Sequence, residues 1–415
     1  MTMGNKKNVP AIRFKGFAEE WIKKAFGEFG SISMNRRVFK DQTDSEGEIP
    51  FYKIGTFGAK PDSYISRELF EKYKRKYPYP QIGDILISAS GSIGHTVEYR
   101  GADEYFQDSN IVWLTHDERL SNLFLKYLYS IIKWNGLEGS TIKRLYNKNI
   151  LDTTFILPNP EDKDKSIEEQ TQIGNYFQNI DWLINTSQTK LNKLKNIKKA
   201  CLEKMFPRNG LNTPELRFKG FTEGWKEMAI EDIASDFYGG GTPRTSIERY
   251  WNGNIPWIQT SDLKEDVVFG VVPQKFISNS GVKESATKLV PENSIAVITR
   301  VGVGKLALIP FQYATSQDFL SISKLKVDEY FAAYIMHRKM QTVLKEVQGT
   351  SIKGVTKEEL LAKQVEVPTN RNEQKAIGIF FKNLDDLITK TEQQINKLKN
   401  IKKACLDKMF ATEED

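Results

Sequence analysis

Few of the residues that could do covalent chemistry stand at the spacings such chemistry needs. Thr299-Arg-Val-Gly-Val-Gly-Lys305 is punctuated by glycine and ends on lysine, as a phosphate loop does. Its Walker spacing fails, because Thr299 occupies the first glycine position and Leu306 stands where Ser or Thr would hold Mg²⁺. Gly302-x-Gly304-x-x-Ala307 fits a loose dinucleotide fingerprint. Leu306–Ile309 reads as a strand followed by Pro310, however, so the helix that would receive a pyrophosphate is missing. No serine lies in a G-x-S-x-G elbow, and neither an Asn-Pro-Pro-aromatic methyltransferase motif nor a nuclease carboxylate–lysine cluster is present. His95, His116 and His337 have no spaced ligand partners, which argues against zinc. Cys201 and Cys405 read as small apolar residues, and Asp385-Asp386 as charge near a helix N-terminus. The expectation is a chain with neither a catalytic residue nor a metal ligand.

What remains suits a polyanion. Tyr238-Gly-Gly-Gly-Thr-Pro-Arg244 is a glycine loop ending in a cation, followed by Trp251, Trp257, Gln259 and Thr260. Backbone N–H groups at Gly240 and Gly241 could approach phosphates, with Thr242 beside them, and Arg244 could take a guanine edge bidentately. Arg300 and Lys305 flank the second glycine turn. In the first half Arg36, Arg37, Lys40, Lys53 and the loop carrying Ser90 and Ser92 are the counterparts, with Gln107 as a candidate adenine reader. Lys143 and Lys353 end the paired segments Gly139-Ser-Thr-Ile-Lys143 and Gly349-Thr-Ser-Ile-Lys353. Net charge is +7 over 415 residues and pI about 9.0, which permits an anionic partner.

The elements that must position these residues are announced by a duplication. Asn192 to Phe206 reads NKLKNIKKACLEKMF and Asn396 to Phe410 reads NKLKNIKKACLDKMF, a spacing of 204 residues. Pro10-Ala-Ile-Arg-Phe-Lys-Gly-Phe17 with Trp21 recurs as Pro214-Glu-Leu-Arg-Phe-Lys-Gly-Phe221 with Trp225, again 204 residues on. Ile180, Ile184, Ser187 (a small residue in register), Leu191, Leu194, Ile197, Cys201 and Met205 step by three and four, and their copies run from Leu384 to Met409. Each set makes one narrow seam along a helix, close to a coiled-coil pattern. Two near-identical seams predict that the helices pack on each other, with most of their lysines solvated.

Between these ends identity nearly vanishes while the layout persists. Gln107-Asp108 parallels Gln317-Asp318, and Ile49-Pro50-Phe51 parallels Ile255-Pro256-Trp257. Short β-type runs at 85–87, 111–114, 296–298 and 306–309 are separated by Gly, Pro and Asn, and helical runs follow at 120–133 and 328–347. The predicted fold class is α+β: two globular domains, 1–160 and 208–370, joined by two long coiled-coil helices, 161–207 and 371–415, that pack on each other, the whole an internal repeat. Ends that agree suit equivalent contacts to a shared partner, with Arg13, Phe14 and Trp21 and their copies Arg217, Phe218 and Trp225 as candidate partner-binding residues. Middles that differ suit two readers of different targets. No apolar run reaches the ~18–20 residues of a membrane span and the N-terminus lacks a secretory h-region, so the cytoplasm is the expected location.

The duplicated Arg-Phe-x-Gly-Phe-x-x-x-Trp starts, Gly-Gly-Thr-Pro with Tyr250-Trp251-x-Gly-x-Ile-Pro-Trp257, and the Glu169-Gln170 and Glu373-Gln374 pairs opening each helix resemble the specificity subunit of a type I restriction–modification system. The resemblance covers the whole chain. The first half lacks Gly-Gly-Thr-Pro and resembles a different recognition-domain subtype. The resemblance implies a non-catalytic subunit whose two target recognition domains each read one half of a split, asymmetric site in double-stranded DNA. It also implies docking of two methyltransferase subunits and up to two restriction motor-nuclease subunits. Cofactors are then expected only in those partners: S-adenosylmethionine, ATP and Mg²⁺. The resemblance further implies that the two long helices pack antiparallel, with internal pseudo-two-fold symmetry between the two target recognition domains. A helix of about 40 residues spans roughly 60 Å, enough to set readers one duplex turn apart, and antiparallel packing would put Cys201 and Cys405 roughly 40 Å apart. The competing class is a protein-interaction scaffold on the same duplicated coiled coil that does not bind DNA.

Overall fold

The computed structural model describes residues 8–136, 144–208, 210–348 and 354–411. The chain divides into two compact units, Met1–Ser187 with Gln394–Asp415, and Gln188–Gln393. Each unit therefore contains one of the two unlike middle segments and part of each long helix, Lys163–Lys204 and Arg371–Met409.

In the first unit, β-branched and aromatic runs separated by turns form three small sheets. An antiparallel sheet orders Gly30–Ser33, Ile111–His116, Ile85–Ser88 and Thr96–Glu98. A second places Ile49–Tyr52 between antiparallel Tyr64–Ile65 and parallel Tyr105–Phe106. Ile22–Ala25 pairs with Thr154–Leu157, bringing the chain back to the start of the first long helix. The second unit repeats this topology. Asp236–Gly239, Phe319–Ser323, Ser294–Ile298 and Leu306–Ile309 form the four-stranded sheet. Ile255–Ile258 lies between antiparallel Lys275–Ile277 and parallel Ala314–Thr315, and Lys226–Ala229 pairs with Gln364–Val367. The strands expected at 85–87, 111–114, 296–298 and 306–309 all form, and the helical runs resolve into Asn122–Leu128 and Glu329–Gln348.

The long helices run antiparallel inside each unit. In the first, Phe177 meets Phe410 with ring centroids 5.9 Å apart, Tyr176 Oη lies 3.3 Å from Cys405 Sγ, and Lys402 Nζ reaches Asp181 at 2.5 Å. One helix ascends while the other descends. In the second, Phe206, just past the first helix, stacks on Phe381 at 5.8 Å, while Lys198 holds Asp385 at 2.6 Å and Lys195 holds Glu392 at 2.7 Å.

Two expectations are corrected here. Ile197 and Ile401 leave the seam and are exposed, while Lys198, seven residues beyond buried Leu191, turns inward. The inward positions keep an unbroken alternation of four and three from Ile173 through Ile180, Ser187 and Leu191 to Met205. Position 198 falls on that heptad and 197 does not, so register rather than polarity decides which side chain faces the partner helix. Asp385 is not N-terminal helix charge, since it lies well inside Arg371–Met409. It accepts from Tyr334 at 2.7 Å as well as from Lys198. Asp181 repeats this in the first unit with Tyr127 and Lys402. In each unit one carboxylate thus ties both long helices to a helix of the middle segment.

Glycine lets those helices approach. A Cβ on Gly174 would lie 2.7 Å from Leu123 Cγ, and one on Gly378 2.7 Å from the Phe331 backbone nitrogen. Cys201 and Cys405 are free thiols packed beside the second and first cores respectively, and burial pushes the Cys201 thiol up. Among the described residues no helix is long and apolar enough to cross a membrane.

Candidate nucleic-acid interface

In the first unit Arg36, Arg37, Ser90 and the turn carrying Lys53 are tied to one segment around Gln107 to Asn110, and no bond among the described residues brings Lys40 or Ser92 to it. Arg37 Nε donates to Asp108 at 2.9 Å, and Tyr105 Oη, just before the segment, bonds the Arg36 carbonyl at 3.0 Å. Ser90 Oγ donates to Asn110 at 2.9 Å. The Ile54 amide donates to Gln107 Oε1 at 3.0 Å, fixing the turn that carries Lys53. Ser92 accepts from Ser88 through its carbonyl and keeps an exposed side chain. The same segment recurs in the second unit as Ser316 to Asp318. Thr242 donates to Gln317 at 2.5 Å, the Thr299 amide to the Asp318 carbonyl at 2.8 Å, and the Ser316 amide to the Ile258 carbonyl at 3.0 Å, beside Gln259 and Thr260. A Gln-Asp pair shared by otherwise unlike middles was the legible trace of this hub.

Charge pairing sorts the cations. Lys53 is neutralised by Asp62 at 2.9 Å and Arg37 by Asp108. Lys305 Nζ lies 3.5 Å from the Leu263 carbonyl. Arg36, Lys40, Arg244 and Arg300 are exposed, and among the described residues none of them has a carboxylate partner. The Arg36 guanidinium lies 5.4 Å from the Tyr77 ring centre. A cation held by a carboxylate gives up part of its pull on a phosphate, so these four are better placed than Lys53 and Arg37. Lys143 and Lys353 lie outside the described residues.

Three readings are revised. Gly240 and Gly241 do not offer free amides to phosphate: these N–H groups donate to the Phe319 carbonyl at 3.2 Å and the Thr315 carbonyl at 2.8 Å. Glycine is needed there because a Cβ on Gly240 would stand 1.8 Å from the Ser316 carbonyl oxygen, and one on Gly241 2.6 Å from the Ala286 carbonyl carbon. Gln107 has its carbonyl oxygen occupied, which leaves only its amide N–H groups for an adenine, half of the bidentate contact.

The six candidate partner-binding residues are engaged within their own units. Arg13 grips Glu169 through two bonds of 2.5 and 2.8 Å, and the Trp21 indole adds a third at 3.3 Å. Arg217 and Trp225 do the same to Glu373 at 2.7, 2.8 and 3.3 Å. Phe14 packs edge-on against Tyr176, and Phe218 against Phe380. Trp21 and Trp225 are buried and cannot meet a partner. The repeated N-terminal signature is therefore a clamp on the head of each long helix. The next residue of each Glu-Gln pair completes it. Gln170 Oε1 accepts from the Ser121 amide and Gln374 Oε1 from the Asp328 amide, both at 2.9 Å, at the start of the helix each middle segment lays against the clamp. The repeated Arg, Trp, Glu and Gln share one offset, which was the signal for an internal contact.

Comparisons with known proteins agree with this repeat. The sequence pattern of the type I restriction modification DNA specificity domain matches twice, over residues 18–196 and 222–400. A chain described as a type I restriction enzyme specificity subunit of Haemophilus influenzae is 50% identical over 161 residues, covering 39% of this chain and 40% of that one. The MjaIX specificity subunit of Methanocaldococcus jannaschii is 31% identical over 43% of this chain and 41% of its own, so each of these two relatives is matched over less than half its length. The EcoR124I/EcoR124II specificity subunit of Escherichia coli is 27% identical, with 62% and 63% covered. The crystal structure of a type I restriction-modification S subunit from M. genitalium superposes with a TM-score of 0.62 over 97% of this chain and 99% of that one, at 13% identity, a likeness of fold. With two matched domains that together span most of its length, the chain belongs to the type I restriction–modification specificity subunits.

Proposed function

We propose that this subunit binds double-stranded DNA at a bipartite, asymmetric site, each unit reading one half, and that it does no chemistry itself. The observation that carries the reading is one hub built twice on one topology with unlike side chains around it. A common scaffold with different readers yields two different half-sites. Arg36 and Lys40 in one unit, and Arg244 and Arg300 in the other, with no carboxylate partner among the described residues, supply the cations that a phosphate backbone or a guanine edge takes. The near-identical helices offer like surfaces to two copies of one partner. Methyltransferase subunits would dock there, bringing S-adenosylmethionine, and motor-nuclease subunits would bring ATP and Mg²⁺. A solved structure of similar fold, at 14% identity and TM-score 0.50, comes from work on complex assembly of a type I system.

The test is binding of duplex DNA by the assembled complex across a salt series. Affinity should fall steeply with salt, as counterion release requires. Arg300→Ala should weaken binding by about 1–3 kcal/mol if the contact is bidentate to guanine, with discrimination lost at one half-site only. An unchanged affinity and methylation map would reduce Arg300 to a surface residue. A complex that ignores duplex DNA at every salt concentration would instead favour a protein-only scaffold.

A further inference from the structure

Around the hub, the two units place their arginines differently. In the second unit the segment returning to the sheet lies along the turn after Ser294–Ile298, with the Val355 amide donating to the Thr299 carbonyl at 2.8 Å. Gly354 sits beneath Arg300: a Cβ there would lie 3.0 Å from the Thr299 oxygen, 3.6 Å from Arg300 Cα and 4.0 Å from its Cγ. In the first unit the equivalent bond joins the Leu145 amide to the Ala89 carbonyl at 2.7 Å, and Ser90 and Arg144 form an antiparallel bridge. Leu145 and Ala89 thus answer to Val355 and Thr299. It follows that Ser90 answers to Arg300 and Arg144 to Gly354. Each crossing holds one arginine and one small residue, on opposite strands in the two units.

We infer that Arg144 is a DNA-contacting, specificity-determining residue of the first unit, supplying from the return segment the guanidinium that Arg300 supplies from the turn in the second. This rests on the DNA-binding reading above. Arg144 Nη2 donates to the Ser109 carbonyl at 2.8 Å, which ties it to the hub, and its guanidinium carbon lies 5.9 Å from the ring centre of exposed Tyr146. It has no carboxylate partner among the described residues, so most of its five N–H donors remain for a ligand. Ser90 is held to Asn110 and is uncharged, so it cannot serve instead. An arginine flanked by an aromatic face suits a phosphate or a guanine edge.

The experiment uses the subunit assembled with its methyltransferase partners, and reads duplex binding and the methylated sequence. Arg144→Gly should weaken binding by about tenfold or more and relax the half-site read by the first unit, leaving the other half as it was. The double variant S90R/R144G moves the arginine to the second unit's arrangement and should regain much of that loss, a rescue that a purely structural arginine would not show. Arg144→Lys, which keeps the charge and loses the planar fork, should recover affinity more than discrimination. Wild-type binding by R144G while Arg300→Ala weakens binding would overturn the assignment and leave the DNA reading standing. So would an R144G defect that S90R does not relieve. A wild-type complex that fails to bind duplex DNA would overturn both.

Discussion

Replacing Arg217 with alanine is expected to destabilise the second unit by about 3–5 kcal/mol, the range for breaking a buried ion pair from one side. The Glu373 side chain is 1% exposed and accepts two bonds from Arg217 and one from the Trp225 indole. Without the guanidinium, a carboxylate buried among its neighbours keeps a single 3.3 Å indole bond from the protein. The cost therefore comes from the stranded charge rather than from the lost contact. Replacing Arg217 and Glu373 together by apolar residues of similar volume should recover part of it, since the desolvation of both charges is removed while the buried Trp225 indole N–H loses its acceptor, at a cost of about 1–3 kcal/mol. Arg13→Ala should behave alike in the first unit, because Arg13, Trp21 and Glu169 repeat the same geometry. Urea midpoints of wild type, both single variants and the double replacement measure this. A loss below about 1 kcal/mol for either single variant would class the clamp with exposed pairs.

A second contrast separates two lysines three residues apart. Lys198 and Asp385 have side chains 10% and 16% exposed, and Asp385 also accepts from Tyr334. Burial beside this carboxylate pushes the Tyr334 phenol far up, so it stays a donor. Asp385→Ala strands a largely buried ammonium, leaving it the Asp266 carbonyl at 3.0 Å, and should cost about 3–5 kcal/mol. Lys195 and Glu392 are 54% and 44% exposed. Glu392→Ala should cost at most about 1 kcal/mol, because solvent already screens the pair. Similar losses in the two variants would mean that burial does not set the strength of these bridges.

The residues of the clamp and of the inward lysine show what a sequence can and cannot display. Arg13, Trp21, Glu169 and Gln170 recur at one fixed offset, so their importance was visible, yet whether they face a partner or each other depends on chain path. Trp21 reads equally well as an interface anchor or a core residue until its burial is known. Lys198 reads as a solvated helix residue because its type is polar, and only the partner helix's Asp385 makes an inward lysine tolerable. Strands 85–88 and 294–298 were legible because both are nearly continuous apolar runs. The glycines at 240 and 241 were visible as a loop, but the backbone they must clear comes from residues 315–319 and 286–287, far along the chain. Arg144 escaped notice for the same reason: its counterpart by position is a glycine, and its counterpart by location is Arg300.

Division of reading between the units is tested most directly by exchange. Residues 230–363 would be replaced by the matching segment of a relative with a different preference, keeping Arg217, Trp225 and both long helices, and methylated sites mapped across a genome. One half of the methylated sequence should change while the other half and the gap between them stay constant. A map in which both halves change together, or in which neither does, would contradict two independent readers on one frame.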